Sequence, residues 1–307
     1  MLDVAAFYQF APLPQCAALR APIQALCDAH GAKGIVLLAP EGINGTIAAA
    51  PGAMARVLAG IRDIAGLPDL RHKISHAEKM PFLRMKVRVK AEIVTLGTPA
   101  DPSARLGAHV APGNWNALLA ERDVVLLDTR NAYEIAIGSF PGALDPGTGS
   151  FRQFPEFVRQ NLDPARHRRI AMFCTGGIRC EKASSYLLDQ GFAEVLHLDG
   201  GILNYLEKVP SEESLWQGAC FVFDERVAVG HGVALADVAL CRGCRAPLAV
   251  GDRASSDFEE GVCCKRCAGS HTPEQKASAR ERQRQVELAT ARGRAHLGPA
   301  AGAEGGR

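Results

Sequence analysis

Short apolar runs alternate with helical stretches over the first third of this chain. Val4-Ala5-Ala6-Phe7-Tyr8-Gln9-Phe10 has the make-up of a strand. Residues 14–30 predict a helix broken by Gly31. Gly34-Ile35-Val36-Leu37-Leu38 and Gly45-Thr46-Ile47-Ala48 read as two strands around a turn at 40–44. Asn44 before Gly45 is read as hairpin chemistry in preference to a substrate contact, because Asn-Gly suits positive φ. Residues 53–64 predict a second helix closed by Gly66, and 70–75 and 83–96 supply further strand.

This order of strand, helix, strand, strand, helix, strand predicts a ferredoxin-like, acylphosphatase-like α+β domain over 1–97. Its last strand is unusual. In Arg84-Met85-Lys86-Val87-Arg88-Val89-Lys90 the pleat puts Arg84, Lys86, Arg88 and Lys90 on one face. One reading is an ordinary solvated face. The other is a contact surface for an RNA backbone, since like charges in a row repel unless a polyanion meets them. Arg71, His72 and Lys73 are expected to extend that patch.

Residues 98–114, rich in Pro, Gly and Ala, read as a linker. From 115 to 212 the rhythm changes. Val124-Val125-Leu126-Leu127-Asp128 and Arg169-Ile170-Ala171-Met172-Phe173 are continuous apolar runs of the buried parallel type, and a further strand is expected at 195–198. Helix candidates at 151–161 and 181–190 alternate with them, which predicts an α/β domain with a parallel sheet. Ligands of such sheets bind beyond the strand C-termini, where Asp128 and Cys174 stand.

Residues 213–272 read as a small cysteine-rich region. Cys241-x2-Cys244 and Cys264-x2-Cys267 have the spacing of a closed structural zinc site of four thiolates, with Cys263 as an alternative register. A basic helix candidate runs from 272 to 294, and the chain then predicts a disordered tail within 273–307. Composition adds limits. Of 307 residues, 47% are hydrophobic and 22% charged, which is ordinary for a globular chain of several domains. The net charge of +2 confines any nucleic-acid role to local patches. No apolar run is long enough to span a membrane and no signal peptide is evident, so a cytoplasmic location is expected. There, ten cysteines argue for metal binding or catalysis over disulfides.

The chemistry concentrates in Cys174-Thr175-Gly176-Gly177-Ile178-Arg179. A cysteine at a strand end, a glycine turn and a helix start make a concave ring of backbone N–H groups. A thiolate in that field is stabilised, so Cys174 should ionise below the free value of about 8.5. Arg179 adds a positive charge and a fork of donors. Cys180, on the first helical turn, is either a resolving thiol or a packing residue.

This loop, with Asp128-Thr129-Arg130 upstream and Leu198-Asp199-Gly200-Gly201 downstream, resembles a rhodanese domain over about 115–210. The resemblance implies Cys174 as nucleophile and persulfide carrier, the loop Thr175, Gly176, Gly177 and Ile178 as the anion cradle, Arg179 orienting the anion, and Asp128 and Arg130 supporting the loop. Related phosphatases have one more residue between Cys and Arg, so phosphatase chemistry is disfavoured. With Pro40-Glu41-Gly42-Ile43-Asn44-Gly45-Thr46 and the cysteine-rich C-terminus, about 1–270 resembles the rhodanese-containing tRNA uridine(34) hydroxylases of bacteria. That resemblance implies tRNA as substrate, molecular oxygen as co-substrate and 5-hydroxyuridine as product. The electron donor and protein partners are left open, and no flavin, haem or iron signature is present. The rival readings are a sulfurtransferase carrying persulfide sulfur to tRNA or a protein, and an RNA-binding module with an inert cysteine.

Overall fold

In a computed structural model, residues 1–63, 67–248 and 251–292 are described. They fall into two compact units, one ending at Ala236 and one starting at Asp237. Gly66, expected to close a helix, and the predicted tail lie outside the described residues.

The first unit begins with β1 (Leu2–Phe10), α1 (Cys16–Ala29), β2 (Lys33–Ala39), β3 (Gly42–Ala49), α2 (Pro51–Arg62), β4 (His72–Ala77) and β5 (Met85–Val89). The sheet order is β4-β1-β3-β2-β5, antiparallel except that β5 runs parallel to β2. The first four strands make the ferredoxin-like order, and β5 is an added edge. Both helices present one apolar stripe to the sheet: α1 buries Ile23 and Cys27, and α2 buries Met54, Val57 and Ile61.

Three local expectations need correction. The turn at 40–44 is tighter than expected: Ala39 pairs with Gly42, so only Pro40 and Glu41 form it. Asn44 therefore lies inside β3, opposite Tyr8 and Leu37, and its Nδ2 donates to the Ile93 carbonyl at 3.1 Å. The strand expected over 83–96 ends at Val89, because the next residues leave the sheet toward Glu92. Finally, β4 and β5 are opposite edges of the sheet, four strand spacings or roughly 19 Å apart, so Arg71, His72 and Lys73 do not extend the β5 patch.

The stretch 98–114 is more than a linker. It contains β6 (Ala108–Val110), which pairs in parallel with a later strand; three residues are too few for a periodic signal. There follow α3 (Pro112–Leu119), β7 (Val124–Asp128), α4 (Ala132–Ile135), β8 (Gly138–Ser139), α5 (Phe154–Asn161), β9 (Arg169–Phe173), α6 (Ile178–Asp189), β10 (Glu194–Leu198) and α7 (Gly201–Lys208). The order β6-β10-β9-β7 is parallel throughout.

Residues 213–236, grouped on sequence with the cysteines, belong to this first unit. Here β11 (Gln217–Gly218) pairs with β8, and β12 (Cys220–Phe221) pairs with β13 (Ala228–Val229). Trp216 joins Trp115, Phe140, Phe173 and Tyr205 in one aromatic core, with ring centroids 5.1 Å from Phe140 and 6.3 Å from Phe173. Edge-to-face contacts of this kind add about 0.5–1.5 kcal/mol each beyond burial.

The α+β sheet and the parallel sheet are joined by Lys182 of α6, only 2% exposed. Its Nζ donates to both Glu41 oxygens at 2.8 and 2.7 Å, to Glu92 at 2.6 Å and to the Val94 carbonyl at 3.1 Å. A buried ammonium is tolerated because all its donors are taken.

The second unit has a small core of cysteines with Leu248, Val262 and Ala279. Ala279 comes from α8 (Pro273–Ala291), whose start is closed by a reciprocal Thr272–Gln275 capping box. No described helix is long and apolar enough to cross a membrane.

Candidate active site

Strand β9 delivers Cys174 to the C-terminal edge of the parallel sheet, where it is 0% exposed. The loop turns back on itself at Gly177, whose φ of 107° suits glycine. There the Gly177 N–H points at the Cys174 Sγ, 3.1 Å away. The carbonyls of the loop face the other way. Cys174 and Thr175 accept from the N–H groups of Ile202 and Leu203 at 2.9 and 3.1 Å, so the start of α7 fixes the loop from behind. The close approach of Gly201 to this backbone leaves no room for a side chain.

Burial works against a charged sulfur at Cys174. It is outweighed by a hydrogen bond from the Cys180 thiol, by the Arg179 charge, and by the N–H groups of Cys180 and Gly177. The Cys174 thiol is thus held well below its ordinary value. Burial pushes Cys180 the opposite way, and the neighbouring thiolate reinforces that shift, so Cys180 stays protonated and donates. The Thr129 hydroxyl lies 3.5 Å from the Cys180 sulfur.

Arg179 does not reach into open space. Its guanidinium grips Glu134 through two bonds of 2.6 and 2.8 Å and touches the Thr175 hydroxyl at 3.3 Å. Glu134 is fully buried and also accepts from the Asn131 N–H at 3.1 Å. Burial disfavours its charge, but Arg179 prevails and keeps the carboxyl below the usual range. Glu134 was absent from the sequence reading. Its signal was the Asn131-x-x-Glu134 capping box of the four-residue helix α4.

Asp128 and Arg130 form a second buried pair behind the first. Arg130 donates to Asp128 at 2.9 and 2.6 Å and to the Gly138 carbonyl at 2.6 Å, while Ser139 donates to Asp128 at 2.9 Å. The Arg130 guanidinium lies over the Trp216 ring at 5.1 Å. Neither residue is hydrogen-bonded to Cys174; they brace the peptide that carries Glu134.

Two further groups come from the α+β sheet. The Tyr8 hydroxyl donates to Glu181 at 2.8 Å and lies 2.7 Å from where a Cβ on Gly177 would sit. Lys73 of β4 donates to the Gly200 carbonyl at 2.8 Å. Burial, partly opposed by Asp199 and Glu207, brings its ammonium down to about 8. By contrast Arg84, Arg88 and Lys90 stand exposed and Lys86 half-buried on and beside β5, at the far edge of the sheet.

In the second unit the four sulfurs of Cys241, Cys244, Cys264 and Cys267 lie within 4.8 Å of one another. The pairs Cys241–Cys267 and Cys244–Cys264 are each 3.8 Å apart. A tetrahedron of sulfurs about 2.3 Å from a zinc ion has edges of about 3.8 Å, so the donor set fits. Cys263 turns away and donates to the Asp257 carbonyl.

Residues 2–93 match the family model of the UPF0176 acylphosphatase-like domain, and 112–208 that of the rhodanese-like domain. A curated protein of Brucella ovis named tRNA uridine(34) hydroxylase is 57% identical over 96% of this chain and 97% of its own length. A protein of the same name from Brucella anthropi is 56% identical over the same shares. A solved rhodanese-like domain from Anabaena covers 37% of this chain and 80% of its own, at 18% identity and a TM-score of 0.31.

Proposed function

Because the chain belongs to the tRNA uridine(34) hydroxylase family, we propose that it oxidises the wobble uridine of tRNA to 5-hydroxyuridine with Cys174 as the reacting group. One oxygen atom of molecular oxygen enters the C5–H bond. The other leaves as water, with two electrons and two protons drawn from an external reductant.

The observation that carries the role of Cys174 is its sulfur at the start of the glycine loop with the Gly177 N–H 3.1 Å away; the neighbouring Cys180 and the Arg179 charge bring its ionisation to still lower pH. Such a sulfur is a thiolate at neutral pH without an external base. Arg179, fixed by Glu134 and Thr175, holds its charge in one place beside that sulfur. Cys180 keeps a proton next to it. If the second oxygen atom of O2 is carried by Cys174 as a sulfenic acid, the Cys180 thiol displaces it as that water to form a disulfide, which the two electrons and two protons of the external reductant reopen to two thiols.

The side chains of Arg84, Lys86, Arg88 and Lys90 suit phosphates of the same tRNA. Their second effect is to keep the β5 edge from pairing with another sheet. The four-cysteine cluster suits a structural zinc with no open position for substrate. A tRNA substrate supports a cytoplasmic location. Family membership favours hydroxylation over the sulfurtransferase alternative.

The test is nucleoside mass spectrometry of tRNA from cells lacking the protein, complemented with wild type or Cys174→Ser. Wild type alone should restore 5-hydroxyuridine. Full restoration by Cys174→Ser would remove the cysteine from the reaction. Unchanged 5-hydroxyuridine with a missing thiolated nucleoside would replace hydroxylation by sulfur transfer.

A further inference from the structure

The turn joining β12 to β13 has no part in the chemistry above, yet it is built with unusual rigidity. Asp224, its side chain 1% exposed, accepts from the Arg226 N–H at 2.9 Å and from the Arg226 guanidinium at 2.9 and 2.6 Å. That guanidinium also donates to the Ser75 hydroxyl of β4 at 2.7 Å, and the Glu225 N–H donates to the Pro81 carbonyl at 3.0 Å. Val227 closes the turn with a φ of 64°, a conformation that β-branched residues avoid. Strain held by surrounding bonds in this way marks sites with a task.

What the turn displays is Phe223, which is 57% exposed. Its apolar neighbours Val222 and Val227 are buried. Phe223 packs edge-to-face on Phe221 at 5.2 Å, and Phe221 packs likewise on Tyr133 at 5.4 Å, next to Glu134. The Arg179 guanidinium lies 6.0 Å from the Phe223 ring centre. The ring is thus fixed beside the Cys174 loop with part of its surface open to solvent.

We propose that Phe223 is a stacking platform for one unpaired nucleobase of the RNA, next to the target uridine. The proposal rests on the RNA-modifying reading above. A protein partner would need a contiguous apolar area of hundreds of Å², whereas a lone ring between charged neighbours matches a single base. Charge agrees. Ser75, which anchors the turn, shares a face of β4 with Lys73, and Lys73 bonds Gly200 beside the Cys174 loop. The cation that stands against the ring itself is Arg179, 6.0 Å from its centre, so a base stacked on Phe223 sits beside a positive charge.

The test uses the full-length protein and an anticodon stem–loop RNA carrying 2-aminopurine beside the wobble uridine. Wild type and Phe223→Tyr should quench the fluorophore. Phe223→Leu, similar in bulk but without a π face, should lose the quenching and bind about 5- to 150-fold more weakly. Wild-type affinity and quenching in Phe223→Leu would overturn the platform. So would equal loss in both variants with a changed rate of Cys174 alkylation by iodoacetamide, which would make Phe223 a prop for Arg179. Failure of the hydroxylase reading shows separately, as wild-type protein that binds the RNA but forms no 5-hydroxyuridine.

Discussion

Replacing Glu134 by Gln removes a charge from the least hydrated part of the site. The carboxylate is fully buried and takes both arms of Arg179, at 2.6 and 2.8 Å, together with the Asn131 N–H. The amide keeps the shape but turns an NH2 toward a guanidinium, so a buried cation loses its partner. Breaking such a pair from one side costs about 3–5 kcal/mol. For a unit ending at Ala236, roughly 2–4 °C per kcal/mol gives a fall in Tm of roughly 6–20 °C. The effect on Cys174 runs the other way. With Glu134 neutral, the Arg179 charge pulls uncompensated on the sulfur, so the midpoint of the alkylation rate against pH should fall. Acid should narrow the gap between the two proteins. The Glu134 carboxyl is held below its ordinary value, with burial opposing and Arg179 prevailing. Its stabilisation is therefore complete above the unfolded value of about 4.3 and disappears as pH falls through the lower folded value. Scanning calorimetry and iodoacetamide kinetics measure both effects. A Tm loss under about 2 °C at pH 7, less than the smallest single kcal/mol step expected, would refute the assignment of a charged buried pair.

Two other outcomes follow from the same geometry. Cys180→Ala removes a hydrogen bond to the Cys174 sulfur, so the alkylation midpoint should rise and the rate at pH 6 should drop; an unmoved profile would show that Cys180 does not donate. In the second unit, mass spectrometry of intact protein should find one zinc per chain in wild type and Cys263→Ser, and none in Cys241→Ser; zinc loss in Cys263→Ser would put the alternative register back.

Chemistry carried by neighbours in the chain was legible before any coordinates. The Cys174 loop, the alternating charges of the 84–90 run and the two C-x2-C pairs each depend on local spacing: Cys174 follows β9, Lys86 and Arg88 lie in β5 with Arg84 and Lys90 just outside it, and the four sulfurs of the pairs lie together. Contacts between distant segments were not legible. Tyr8 meets Glu181 across 173 positions and Lys73 meets Gly200 across 127, and no periodicity encodes such meetings. Brevity hid others: β6 has three residues and α4 four, below the length at which a hydrophobic rhythm emerges. Glu134 suffered from both, since its partner lies 45 positions away and its sidedness is set only once α4 has folded against the loop.

The ammonium that joins the two sheets also orders events in time. Glu41 and Glu92 are both complete when the first domain leaves the ribosome, but Lys182 is made 90 positions after Glu92. At 5–20 residues per second the delay is roughly 5–20 s. During it, the nascent α+β sheet holds two carboxylates whose shared cation has not yet been synthesised. The helix that brings that cation starts four residues after Cys174, so the ion bridge between the sheets and the reactive loop come from the same stretch of late-made chain.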